Sequence, residues 1–255
     1  MTTKIIDLSQ PWGVDTPLWP FPGPRQDLIF PRGEYLERFH KRTCTYTGTL
    51  HAGTHLDAPS HVLHPCEGGY MMDKVPLENC YGTGVIVDMR YLKDTKWHMI
   101  SAEDFEKATP KIEPGDFVVV NTGFHHFWRW NNYAYFNYYA GMNPSAGEWL
   151  VKKEVKGISG TWGATDSPLW HAPLSLTMPW LHREYKKETG KDADEEFPEY
   201  EPVHRMMARN QITAVENAGG DIDDVTGMRC IIAAFPFRCE MADGGFVRLV
   251  AIIEE

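Results

Sequence analysis

The stretch Leu50–Val62, LHAGTHLDAPSHV, constrains this chain more than any other part of it. It sets His51, His55, Asp57 and His61 close together, with Gly53 and Pro59 between them. On a helix, turning about 100° per residue, His51 and His55 share a face while Asp57 and His61 point away from both. Gly53 and Pro59 weaken a helix further. On an extended chain the four polar residues are all odd-numbered and fall on one side. A straight strand rising ~3.3 Å per residue would hold His51 and His61 about 33 Å apart, too far for one site. The segment must therefore bend, and Gly53 and Pro59 are where a chain bends most readily.

Neutral imidazole and carboxylate are the ligands of a borderline divalent ion such as Zn²⁺ or Mn²⁺. His55 and Asp57, two apart, can meet at one ion. No cysteine falls inside the cluster, which argues against a purely structural zinc. The competing reading is a polar loop whose groups satisfy one another. A lone histidine would favour that loop, but four such groups on one face favour the ion. Ser9, Ser60 and the cysteines have no evident base partner, so nucleophilic serine or cysteine chemistry has no support. No GxGxxG or P-loop pattern points to a nucleotide cofactor.

Short apolar runs elsewhere predict strands: IIDLS at residue 5, GVIVDM (84–89), DFVVVNTG (116–123), IIAAFPFR (231–238) and FVRLVAII (246–253). Capping-box patterns at Ser101–Asp104 and at Ser145–Glu148, directly after Pro144, predict helices. Gly157 is expected to close the second helix, with GISGT resuming as a strand. The result is a mixed α/β chain, and its 255 residues are enough for a sizeable core. Asp88 and Asp116 read as strand-end residues. HHFWRWNNYAYFNYY (125–139) reads as a pocket lining or subunit contact, with a plain core segment as the alternative. REYKKETGKDADEEFPEYEP (183–202) reads as a solvated surface insertion. The five cysteines are scattered and never form CxxC, so reduced core thiols are expected. A net charge of -10 with no basic stripe argues against nucleic acid. No apolar run approaches the ~20 residues of a spanning helix, and the N-terminus lacks a secretory pattern, so no membrane partner and a cytoplasmic location are expected.

His51-Ala-Gly53-Thr54-His55-Leu-Asp57-Ala-Pro59-Ser-His61 resembles the HxGTHxDxPxH signature of the cyclase family of metal-dependent hydrolases, which includes bacterial kynurenine formamidase and isatin hydrolase. Every fixed position is present. The resemblance extends to IIDLSQPWGVDTPLWP (5–20), NPSAGEWLVKKEVKGISGT (143–161) and DGGFVRLVAI (243–252). Formamidase-like members also carry a histidine twelve residues before a glutamate, and HRMMARNQITAVEN gives His204 and Glu216 here, a spacing that suits a short helix followed by a strand.

The resemblance implies a single α/β domain over 1–255, with a central, partly closed, barrel-like sheet flanked by helices, of the swivelling β/β/α kind, assembled as a homo-oligomer such as a dimer or tetramer. It implies that His51, His55, Asp57, His204 and Glu216 hold one or two divalent ions, with Asp57 and Glu216 able to bridge. His61 is then left as the proton-transfer group, while Gly53 and Thr54 shape the loop. Residues 162–203 exceed what a compact formamidase needs and read as an insertion that reshapes the pocket, and His171 and His182 within it have no counterpart in the pattern. The implied activity is metal-dependent hydrolysis of a C–N bond in a small-molecule amide, cyclic or aryl as in isatin, with Trp12, Trp19 and the 125–139 stretch as candidate ring-binding walls. Deformylation of an N-formylkynurenine-type amide, or a cyclase or lyase reaction, is the alternative.

Overall fold

The run Phe117–Asn121, FVVVN, is buried at every position because both faces of its strand are covered. Its odd and even residues serve different cores. Val118 and Val120 join Val85, Val87 and Ile158 on one side, while Phe117 and Val119 join Ile86, Val215 and Ile232 on the other.

The computed structural model describes residues 2–13, 15–20, 34–36, 41–43 and 48–254. The strands among them are β1 (Thr3–Asp7), β2 (Glu34–Leu36), β3 (Lys41–Thr43), β4 (His55–Asp57), β5 (Tyr81–Asp88), β6 (Phe117–Asn121), β7 (Gly157–Gly160), β8 (Thr213–Glu216), β9 (Arg229–Ala233), β10 (Gly244–Phe246) and β11 (Val250–Glu254). The α-helices are α1 (Ala102–Lys107), α2 (Asn132–Asn137), α3 (Pro144–Lys152), α4 (Leu174–Thr177), α5 (Pro179–Thr189), α6 (Ala193–Glu196) and α7 (Pro202–Arg209). One nine-stranded sheet runs β1-β11-β9-β5-β6-β7-β8-β4-β10, and β2 pairs with β3 separately. Strands β5 to β8 are parallel, and those flanking them are antiparallel. The mixed sheet curls into a half-barrel flanked by helices, the α/β fold expected from the sequence.

The predicted strands are present with adjusted ends. FVRLVAII divides into β10 and β11, and IIAAFPFR is strand only as far as Ala233. The Ser101 box forms as expected, with the Asp104 carboxylate accepting from the Ser101 N–H and hydroxyl at 2.8 and 2.7 Å. The Ser145 expectation was displaced by two residues. Asn143 is the N-cap of α3, its side chain accepting from Ala146 N–H, and Pro144 takes the first helical position, where its missing N–H costs nothing. The helix ends at Lys152, so Gly157 does not close it but opens β7, where a side chain would run into the Phe117 ring at 2.6 Å.

Residues 125–139 serve mainly as core. Trp128, Tyr135, Phe136 and Tyr139 are buried, while Trp130 and Tyr133 are exposed. Only Phe136 reaches the cavity described below. The 183–202 segment is more than a solvated loop. Most of its charges face outward, with Lys96 bridging Glu184 and Glu188, but Glu201 is buried, and Tyr185 and Ala193 join Leu169, Leu174, Met178 and Leu181 in a small core of their own. Asp116 is also more than a strand end, since it is buried and receives the Arg229 guanidinium at 2.7 Å. Among the described cysteines only Cys80 is a core thiol; Cys66 is exposed, Cys230 and Cys239 are half-buried, all four are free, and Cys44 lies outside the described residues. Among the described residues no helix is long and apolar enough to cross a membrane.

Candidate metal centre

The cluster gathers because β4 lies between β8 and β10. The antiparallel register sets His55 opposite Glu216 and Phe246, and Asp57 opposite Gly244. The chain bends on either side of this short strand, at Gly53, in a left-handed conformation at φ 61°, and at Pro59, which starts a 3-10 turn ending at His61. These are the two bends that the sequence requires. They bring the His51 and His61 rings to a stacked 4.0 Å, where a straight strand would have separated them. Thr54 fixes the loop: its hydroxyl donates to Asn217 O and accepts from Gln10 N–H, both at 2.7 Å. At 244 a Cβ would strike the His51 ring at 2.6 Å, so glycine is needed there.

His204 arrives from α7 and Glu216 from the end of β8, the helix-then-strand arrangement that their spacing predicts. His55 donates from Nδ1 to Gly53 O at 2.8 Å, which turns its Nε2 inward, 3.4 Å from Asp57 Oδ1 and 3.7 Å from Glu216 Oε2. His204 Nδ1 is 2.6 Å from Asp166, leaving Nε2 2.9 Å from Glu216 and 3.6 Å from Asp57 Oδ2. Carboxylate behind imidazole is the usual device that fixes the ring and tautomer of a metal-binding histidine. Glu216 is held in turn by the N–H and hydroxyl of Thr165, at 2.7 and 3.2 Å.

Two triads of potential ligand atoms, His51–His55–Asp57 and Asp57–His204–Glu216, share Asp57, and a third, His51–His61–Asp243, joins the first at His51. His51 Nδ1 and Asp57 Oδ1 lie 2.8 Å apart, yet both are buried and neither makes a hydrogen bond. Buried polar atoms left this way are rare unless something else satisfies them, and imidazole and carboxylate atoms crowded without bonding one another fit a shared cation. Electrostatics agree. Burial opposes charge on His204, but Glu201, Asp166, Asp57 and Glu216 hold it well above the ordinary imidazole range. Burial likewise opposes charge on His51, which Asp243 and Asp57 raise to about 10. Asp57 is driven the other way, well below the carboxylate range, because the surrounding histidines outweigh its burial.

Four contributors lay outside the sequence reading. Asp243 Oδ2 stands 3.2 Å from both His51 Nε2 and His61 Nδ1, and these two imidazoles hold it well below the usual carboxylate range. Asp166 and Thr165 sit behind the ligand atoms, and Glu201 faces His171 across the cavity wall. Two other histidine–aspartate groups, His125–His126–Asp223 and His182–Asp192–Asp194, lie in less buried settings, and the second is already bonded internally and to Lys186.

His51, His55, His204 and Glu216 line a cavity of about 520 Å³, and Asp57 is not among its walls. Its walls include His51, His61, His171 and Asp243, and the aromatic rings of Trp19, Phe136 and Tyr200. Trp12 is not among them; it packs against Phe246, with ring centroids 4.9 Å apart.

Comparison with known proteins places this arrangement. A family described as "Putative cyclase" matches residues 6–167. The kynurenine formamidase of Erythrobacter litoralis (strain HTCC2594) is 24% identical over 250 residues, covering 97% of this chain and 93% of that one. Isatin hydrolase A from Ralstonia solanacearum superposes with a TM-score of 0.78 at 18% identity, covering 99% of this chain and 92% of that one. An isatin hydrolase bound to the product analogue thioisatinate gives 0.77 at 18% identity, covering 99% and 93%. The structural likenesses establish a common fold, the family match spans the HxGTHxDxPxH stretch, and the chain belongs to this cyclase family.

Proposed function

We propose that this protein is a divalent-metal-dependent hydrolase of a C–N amide bond, in which His51, His55, Asp57, His204 and Glu216 hold one or two ions, Zn²⁺ or Mn²⁺, and His61 carries the proton. The observation that supports this most is the pair of buried triads that share Asp57 and whose other members line an aromatic-walled cavity. When bound, a divalent ion supplies an acidified water as nucleophile and a Lewis acid for the amide carbonyl. The remaining chemistry belongs to the chain. Asp243 accepts from His61 Nδ1, which leaves Nε2 to take a proton and return it to the leaving nitrogen. Trp19 and Phe136 supply flat apolar walls for a ring. A cyclic or aryl amide, as in the isatin hydrolases of like fold, fits these walls. Deformylation is the second reading, favoured by the nearly full-length match to a kynurenine formamidase.

The test is an absorbance assay of the Zn²⁺- or Mn²⁺-reconstituted protein on isatin and on N-formylkynurenine. Turnover of either supports amide hydrolysis and chooses between ring opening and deformylation. An ion-loaded protein that turns over neither counts against both substrates.

Two expectations concern ion loading. Asp166→Ala frees the His204 ring and should weaken binding by about 10- to 100-fold, the usual effect of losing such a partner, measured by competition with a chelating dye. Unchanged affinity would show that α7 alone positions His204. The second follows from the raised values of His51 and His204, which keep both protonated at neutral pH without the ion. Ligation needs them neutral, so loading should release protons, and affinity should rise with pH by about tenfold per unit for each proton displaced. Calorimetry in buffers of different ionisation enthalpy reads the proton count directly. A count of zero would mean that both imidazoles are already neutral before loading or that neither is a ligand.

A further inference from the structure

His171 lies outside the ligand cluster, and the reaction just described leaves it without a role. It is 1% exposed and sits in the wall of the same cavity as His204 and Glu216. Its Nδ1 is 3.3 Å from Pro168 O, an atom that can only accept, so Nδ1 carries a hydrogen. Its Nε2 is buried and makes no hydrogen bond, while Glu201 Oε1 stands 3.5 Å away. A neutral ring protonated at Nδ1 presents a lone pair at Nε2, and a carboxylate presents only lone pairs. In that neutral form two acceptors face each other, an arrangement that is costly in a protein interior unless a donor joins them.

The backbone supports a purpose for this placement. Glu201 has φ 48° and ψ 55°, a left-handed conformation that residues other than glycine seldom adopt. Such strain persists where surrounding structure enforces it and gathers at ligand sites. The next residue, Pro202, starts α7, and the same helix carries His204 toward the ions' side of the cavity. Trp19 lies over the His171 ring, with centroids 4.9 Å apart and planes at 33°, and meets Phe136 edge-on at 5.4 Å. The paired acceptors are thus flanked by a flat aromatic wall.

We infer that His171 and Glu201 form a subsite for a primary amine in its ammonium form, carried on the aromatic part of the substrate beside Trp19 and Phe136. An ammonium has three hydrogens and can serve Nε2 and the carboxylate together, and its bond to the carboxylate is charge-assisted. That the occupant is a substrate rests on the hydrolase reading; that the subsite binds ammonium does not.

The test reads binding without turnover. The ion-loaded, full-length protein is titrated calorimetrically at neutral pH with benzylammonium and benzyl alcohol. In the wild type benzylammonium should bind at least about tenfold more tightly than benzyl alcohol, the size expected of one charge-assisted hydrogen bond. This comparison needs no variant. In Glu201→Gln, which keeps the side-chain shape, the ratio should fall to about one, and a melting curve checks that the fold survives. Equal binding of ammonium and alcohol, or an ammonium preference that persists in Glu201→Gln, would each overturn the subsite. If neither isatin nor N-formylkynurenine is hydrolysed, these titrations still decide the subsite, so the two readings fail separately.

Discussion

Asp57→Ala should yield a folded protein that no longer retains divalent metal through gel filtration, and any amide hydrolysis should disappear with it. Asp57 is the one residue common to both triads, so its loss strips an oxygen from each. It is also the anion on which the buried histidines converge: His51 at 2.8 Å, His55 at 3.4 Å and His204 at 3.6 Å. Losing a hydrogen-bonding partner behind a ligand already weakens metal binding by about 10- to 100-fold, so losing the shared ligand itself should cost more than that. Elemental analysis of the dialysed variant against wild type measures it. Circular dichroism separates loss of the ion from loss of the fold. Glu216→Ala should act on one triad only, and the ratio of metal bound in the two variants bears on whether the centre holds one ion or two. If Asp57→Ala retains metal at the wild-type stoichiometry and affinity, the cluster is a hydrogen-bonded loop and the hydrolase reading falls with it.

The part of this centre that a reader can find in the sequence is the part built from local geometry. His51, His55, Asp57 and His61 are legible because a period of two places them on one side, and because the chain length forces bends that only Gly53 and Pro59 supply cheaply. His204 and Glu216 are legible as a pair only through the family resemblance, a histidine twelve residues before a glutamate; taken alone they read as a helix-surface histidine and a solvated strand-end residue. Asp166 was not legible. It lies 38 residues from His204, and its role exists only because the chain beyond β7 passes under the start of α7. Asp243 gave a weaker but real signal, two glycines after an acid at the start of a predicted strand. One of those glycines, Gly244, is required by the His51 ring, a contact that appears only once β10 has paired with β4. The aromatic run at 125–139 stays open between pocket and core in the sequence for a general reason. Aromatic side chains fill cores as readily as they line pockets, and only the position of the sheet decides that Phe136 faces the cavity while Tyr135 and Tyr139 do not.

The second large effect should come from His61, and it should be of a different kind. His61→Ala is expected to keep its metal and lose about 10²–10⁴ in turnover, the range for removing a positioned proton carrier. The structure gives reasons to separate His61 from the ligands. It belongs to neither Asp57 triad but to the more open His51–His61–Asp243 group, its side chain is 29% exposed where that of His55 is 3% exposed, and its Nδ1 is engaged by Asp243. A carboxylate behind one ring nitrogen fixes the tautomer and leaves the other nitrogen for the reacting proton, the logic of a histidine held by an aspartate in hydrolases of unrelated fold. Asp243→Asn should therefore lower turnover through His61, by less than His61→Ala itself, because the half-exposed ring can still be oriented by its stack on His51. Added imidazole should restore part of the activity of His61→Ala and none of the metal binding of Asp57→Ala. A His61→Ala protein with wild-type turnover would reduce that ring to a wall stacked on His51, and one that loses its metal would move His61 into the ligand set.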